Sequence, residues 1–400
     1  MHLVFSDFNY HHKLLPLTFI KPVAKLRVGI LTIEEKWIKR FKQNNIEVSI
    51  YYNTPEYLKD LFRSANQQLH DFYLINSSFL PSDDFFNAAM QLSLGEGIYH
   101  NDELIIGRVS NLHEKPKSID QSIPVHQIKN PRDIFLLNGN EIANDFNLLT
   151  KNKTSNSICT TNTIIGDHPV FDHGNLIEHN IFIEEGAKVT ASVLNASSGP
   201  IYIGKNTEIM EGALIRGPFA LCEGGVVKMG AKIYGPTTIG PYCKVGGEVN
   251  NTVFQNYSNK GHDGFLGNSV IGDWCNLGAD TNTSNLKNNY GTVKVWDYET
   301  ENYINSGLQF CGLIMGDHSK SSINSMFNTG TTVGFSANIF GSGFPKKFIP
   351  SFSWGEQHTF EIEKSIEVAS RMMERRGKSL SAEEIKVFHQ IFNYTSKYRS

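Results

Sequence analysis

Residues 201–250 read IYIGKNTEIMEGALIRGPFALCEGGVVKMGAKIYGPTTIGPYCKVGGEVN. Ile203, Ile209, Ile215, Leu221, Val227, Ile233, Ile239 and Val245 recur at an unbroken interval of six. Four residues after each stand Thr207, Ala213, Phe219, Gly225, Ala231, Thr237, Cys243 and Val249, which are mostly small. A helix buries side chains with a period of about 3.6 and a half-buried strand with a period of about two, so six fits neither alone. It fits a triangular coil, in which each hexad makes one short strand and one corner, and three hexads close a turn of about eighteen residues. The aliphatic points into the prism and the small residue is pinched near the corner. The register returns at Phe265, Ile271 and Leu277, and again, with Ser321 as an interruption, at Met315, Phe327, Val333 and Ile339. Segments 183–194, 201–250, 265–282 and 315–341 supply roughly five or six stacked turns that share one core. The expected fold is a hexapeptide-repeat parallel β-helix.

Within that region the period lapses between Asn285 and Cys311, as if a loop were thrown out of the coil. Such loops carry either function or packing. Upstream of about residue 155 the pattern differs. His2–Phe5, Val48–Tyr52 and Asp71–Ile75 read as strands. Thr32–Gln43 reads as a helix, with Thr32 as cap and Glu34 and Glu35 in the first turn, and Pro55–Leu69 reads as another. Strands alternating with helices imply an α/β layer with a largely parallel, Rossmann-like sheet. After Trp354 the helical period returns: Phe360–Arg376 places Ile362, Ile366, Ala369 and Met373 on one face. Ser381 to Glu384 form a capping box that opens a last helix. These helices are expected to cover the open end of the β-helix or pack between subunits, and Arg375-Arg376 reads as a solvated helix end. The resulting organisation is an α/β domain over 1–155, a connection and β-helix start over 156–200, the β-helix over 201–350 and helices over 351–400.

The chain has 400 residues, beyond what one compact core usually organises. Lys and Arg number 37 against 40 Asp and Glu, which gives a formal net charge of −3 and no overall electrostatic reason to bind nucleic acid or a membrane. No apolar run is long enough to span a bilayer, and the start of the chain lacks the pattern of a signal peptide. The five cysteines contain no close pair, so reduced thiols in a cytoplasmic protein are expected.

Inside residues 181–345 stand only two histidines, His262 and His318. The setting of His262 is Asn259-Lys260-Gly261-His262-Asp263-Gly264-Phe265-Leu266-Gly267, followed by Gly272-Asp273, Asn276, Gly278-Ala279, Thr281 and Asn285. This segment resembles the acetyltransferase domain of the bifunctional glucosamine-1-phosphate acetyltransferase / N-acetylglucosamine-1-phosphate uridylyltransferase (GlmU) family. It is similar also to the archaeal sugar-1-phosphate nucleotidylyltransferase/acetyltransferases, through Ile215-Arg216-Gly217-Pro218, Asn285-Leu286 and Met315-Gly316-Asp317. The whole chain looks most like the variant known from Bacteroidetes-type bacteria. The resemblance implies a left-handed coil and a homotrimer with acyl sites between neighbouring coils. It implies His262 as the base that takes the amine proton, the backbone N–H of Ala279 as oxyanion donor, Asn276 as a sugar contact and Asn285 as a contact near the acetyl group. Lys294 and Arg216 are candidates for phosphate, as are Lys228, Lys232 and Lys244. Two departures stand out: Phe265 replaces an aromatic hydroxyl of the family, and Asn250 replaces a lysine. A γ-type carbonic anhydrase shares the coil, but that chemistry needs three histidine ligands.

In the first domain, Leu14-Leu15-Pro16-Leu17-Thr18 through Pro22-Val23-Ala24-Lys25-Leu26-Arg27 resembles the signature stretch of sugar nucleotidyltransferases. That family wraps nucleotide phosphates with a glycine-rich loop, whereas Phe5–Lys13 contains no glycine and Val23 stands where a lysine is expected. Lys21, Lys25 and Arg27 are the candidate nucleotide-binding residues, and Asp7 is the candidate ligand for the Mg²⁺ that nucleotidyl transfer needs. The expectation is acetyl-CoA-dependent N-acetylation of glucosamine 1-phosphate, with uridylyl transfer as a second activity that the first domain either performs or has lost. The alternatives are a sugar-1-phosphate nucleotidyltransferase, using UTP or dTTP, whose β-helix trimerises it, and a non-catalytic trimeric sugar-nucleotide-binding protein.

Overall fold

The computed structural model describes residues 1–399 except 66–68, 120–122, 167–169, 173–174 and 179, with side chains between 170 and 178 left aside. The first domain is built on a six-stranded sheet in the order Ser49–Asn53, His2–Ser6, Phe72–Asn76, Glu103–Val109, Glu96–His100, Lys117–Ile119. The first three strands are parallel, and Glu103–Val109 runs antiparallel to both its neighbours. The helix Ile33–Gln43 makes the crossover between the first two strands in sequence. It starts where the sequence places it: the Thr32 hydroxyl accepts the Glu35 N–H and the Glu35 carboxylate accepts the Thr32 N–H. The expected helix over 55–69 does not form. Only a short turn, Glu56–Leu58, is helical, and Arg63 and Ala65 instead bond the Tyr52 backbone, extending the sheet edge; part of that stretch lies outside the described residues.

A helix not expected from the sequence, Pro131–Thr150, runs from the first domain onto the coil. Lys36, Glu141 and Asp145 meet beneath it, all but buried, with Lys36 Nζ at 2.7 Å and 2.6 Å from the two carboxylates. The second oxygen of Asp145 accepts the N–H groups of Ile30 and Leu31.

The rest of the chain is a parallel β-helix. On one face Lys188–Val189, Glu208–Ile209, Val226–Val227, Lys244–Val245, Asn259–Lys260, Asn276–Leu277, Lys320–Ser321, Asn338–Ile339 and Ser353–Trp354 stack in register, and an antiparallel strand, His358–Thr359, closes the stack. The stack therefore has more turns than the five or six expected, because coils with irregular hexads, such as 251–264 and 342–356, keep the register. All eight aliphatics of the 203–245 series are buried, and the partners four residues on fill the same interior. At one corner Tyr242, Tyr257, Trp274 and His318 occupy equivalent places in successive coils, each with φ near +60° (59°, 56°, 58° and 62°). Their rings stack: Tyr242 on Tyr257 at 4.9 Å, Tyr257 on Trp274 at 4.1 Å, and Trp274 on His318 at 6.4 Å.

The excursion between 285 and 311 carries a hairpin, Lys294–Asp297 with Asn302–Asn305, and packs rather than projects. Val293 and Val295 join Val253, Val270 and Ile314 of the coil in one core with the first domain. The terminal helices, Ile362–Glu374 and Ala382–Tyr394, lie alongside the late coils; Phe388 and Ile391 pack on Phe335 and Phe352, together with Leu15 and Phe19 of the first domain. Among the described residues no helix is long and apolar enough to cross a membrane. The cysteines are free thiols, four buried and Cys159 exposed.

Candidate functional site

His262 stands on the corner between the rung Asn259–Lys260 and the strand Phe265–Ile271. Its ring is exposed and, among the described residues, makes no hydrogen bond. The loop is tied down from below. Lys260 Nζ donates to the His262 carbonyl at 2.9 Å, and a Cβ on Gly264, whose φ is +115°, would come within 2.3 Å of the Thr281 carbonyl oxygen. The corner can therefore hold that approach only with glycine.

The imidazole faces a groove of about 930 Å³. Asn276, Gly278 and Ala279 of the next coil line it with His262, so three of the expected site residues come together. The Ala279 N–H donates to nothing among the described residues, and its carbonyl accepts the Asn324 N–H. The groove is strongly cationic. Lys228, Lys244, Lys320, Arg371, Arg375 and Arg376 line it, and no carboxylate does. Burial pushes Lys244 below its usual range, and repulsion from Arg376, Lys228 and Arg375 adds to the shift. Lys320 is pushed down to about 8 by burial. Arg371 is paired with Glu367 at 2.5 Å, and the remaining cations held this close favour a polyanion.

The pair Arg375-Arg376, expected as a solvated helix end, thus borders the groove, and Arg376 also donates to Asn259 Oδ1 at 3.2 Å. Sequence reasoning missed the arginines of this tail because nothing in a helical period says which coil the helix will lie against. The other expected residues are elsewhere. Asn285 donates to Asn268 Oδ1 at 2.8 Å beyond the groove lining. Lys294 is exposed on the excursion hairpin, where its carbonyl accepts Lys347 Nζ, and Arg216 is exposed on the strand Leu214–Arg216.

Lys21, Lys25 and Arg27 do come together, lining a cleft of about 450 Å³ between the first domain, the coil and the last helix. Each is already paired with acid: Lys21 with Asp273 and Asp317, Lys25 with Glu34 at 2.6 Å, and Arg27 with Glu35 at 3.5 Å. Much of the stretch 14–27 is buried, Leu14, Leu17, Thr18 and Leu26 completely. Asp7 is buried too. One oxygen accepts the Val23 N–H at 2.9 Å; the other accepts the Thr54 hydroxyl at 2.7 Å and lies 3.0 Å from His11 Nδ1. Among the described residues no three His, Cys, Asp or Glu side chains gather in a way that could hold a metal. Asp7 does not line the cleft, and both its oxygens are engaged within the protein.

Compared with known proteins, residues 2–154 match the family model described as sugar nucleotidyl transferase. The first domain is thus similar to sugar nucleotidyl transferases, and its stretch 14–27 lies against the β-helix. Among solved structures the chain is similar to a hexapeptide transferase family protein from Anaplasma phagocytophilum, at 14% identity and a TM-score of 0.15, covering 61% of this chain and 90% of that one. No curated protein matches the chain. The chain thus joins a segment that matches the sugar nucleotidyl transferase model to a parallel β-helix.

Proposed function

We propose that the β-helix transfers an acetyl group from acetyl-CoA to the amine of glucosamine 1-phosphate in the groove beside His262. The observation that carries this reading is an unpartnered imidazole on the rim of a groove lined by six cations and no carboxylate. Coenzyme A brings a diphosphate and a 3′-phosphate, the charge such a groove favours. With no intramolecular partner for its ring among the described residues, His262 can take the proton from the sugar amine as nitrogen attacks the thioester carbonyl. The Ala279 N–H is free to meet the oxyanion that forms. When the tetrahedral intermediate collapses, the C–S bond breaks, the imidazolium returns its proton to the leaving sulfur, and the amide and free coenzyme A result. Asn276, on the same wall, suits a sugar hydroxyl. Uridylyl transfer by the first domain is the second half of the proposal, and a homotrimer in a cytoplasmic setting is its assembled form.

The match of residues 2–154 favours a second reading, in which the protein is a sugar-1-phosphate nucleotidyltransferase and the coil only assembles it. Two assays separate the readings. Thiol release from acetyl-CoA with glucosamine 1-phosphate, lost in His262→Ala, supports the first. Pyrophosphate release from UTP or dTTP with a sugar 1-phosphate, without thiol release, supports the second. Silence in both, with retained binding of a sugar nucleotide, leaves a non-catalytic binding protein.

A further inference from the structure

The cleft and the groove share one wall, Trp274. On the cleft side the coil corner Gly272-Asp273-Trp274 is fastened from outside the coil. Lys21 Nζ contacts Asp273 Oδ2 and lies 3.0 Å from Asp317 Oδ2. Asp317 Oδ1 accepts the Asp273 N–H at 2.7 Å, while Asp273 Oδ1 accepts both the backbone N–H and the side-chain N–H of Asn256 at 2.8 Å. The approach of Asp317 is so close that a Cβ on Gly272 would sit 2.3 Å from its Oδ1. Lys21 and Asp317 are buried, at 6% and 0% exposure. On the groove side the same segment continues into Trp274, Asn276, Gly278 and Ala279, which line the groove, with Asn276 beside Lys320 on the next rung.

Two carboxylates this near each other in a buried place repel unless a cation joins them. Lys21 is that cation, and burial does not discharge it because both partners hold its proton. We propose that Lys21, a residue of the first domain, is a positioning residue for the acyl-transfer site of the β-helix. It acts through Asp273 and Asp317 to fix the segment 273–279, and with it the oxyanion-binding N–H of Ala279. The inference rests on the acyl-transfer reading for its kinetic consequence, though not for its structural one. A displacement of about 1 Å at a reacting centre can cost on the order of 10²-fold in rate.

The test uses the full-length chain, acetyl-CoA and glucosamine 1-phosphate. Lys21→Met is expected to lower kcat by about tenfold or more while the KM for acetyl-CoA stays within about twofold, since the groove cations are untouched. Lys21→Arg, which keeps the charge, is expected to recover kcat to within about threefold of the native value. The triple variant Lys21→Met/Asp273→Asn/Asp317→Asn removes the buried charge altogether, so it folds even where the single variant does not. Its kcat is expected to stay low, because stability has returned without the fastening. A folded Lys21→Met or triple variant that turns over at the native rate overturns the proposal, as does a loss seen only in KM. If the native protein releases no thiol at all, the acyl-transfer reading has failed, and the near-ultraviolet circular dichroism of the Tyr257–Trp274 stack then decides. A spectrum changed in the triple variant supports the fastening role, and an unchanged one refutes it.

Discussion

An exposed imidazole without an intramolecular partner contributes little to stability, so its removal separates chemistry from folding. His262→Ala is expected to leave the melting temperature within a degree or two and to lower kcat for thiol release by roughly 10²–10⁴-fold. Lys320 offers a test of the cationic groove. Burial holds its pKa near 8, below that of a free lysine, so its charge is lost as pH rises through that value. The KM for acetyl-CoA should therefore climb above about pH 8, with a bound polyanion delaying the climb, and Lys320→Met should raise KM at neutral pH and abolish that step. The sign for stability is opposite. The unfolded lysine holds its proton to about 10.4, so deprotonation of the folded form between about 8 and 10.4 makes this residue's own contribution more favourable.

At the scale of elements, the clasp beneath the helix Pro131–Thr150 should be costly to break. Lys36→Met leaves Glu141 and Asp145 buried without their cation, and a loss of about 3–5 kcal/mol is expected in denaturant unfolding. In the coil, Ile239→Ala removes a wholly buried side chain from the prism and should cost about 2–5 kcal/mol. What could be read from the chain divides along the same line. The hexad series announces the coil because each turn repeats one local rule, and capping boxes announce helices at Ser381 and Thr32 because their partners lie three residues away. His262, Asn276 and Ala279 could be grouped through the resemblance of their segment, and adjacent coils bring them to one groove. The stretch 55–69 looks helical in isolation, but the open edge beside Tyr52 recruits part of it. Lys21 and Arg376 find their partners 252 and 117 positions away, and no local pattern encodes such distances.

For the whole molecule, the two domains share a core. Val253, Val270 and Ile314 of the coil pack with Leu3, Phe5 and Leu14 of the first domain. A chain beginning at residue 156 would expose that apolar strip, and it is expected to aggregate or bind a hydrophobic dye where the full-length protein does not. Removing residues 351–400 would uncover Phe335 and take away Arg371, Arg375 and Arg376 together.

The 252-position gap between Lys21 and Asp273 also sets an order of events during synthesis. At about 5–20 residues per second, a ribosome needs roughly 13–50 s to deliver the aspartate after the lysine has emerged. Through that interval Leu15, Phe19 and an unpaired ammonium wait on the nascent chain for a surface that does not yet exist. The young protein is thereby a natural client for a chaperone until its late coils arrive.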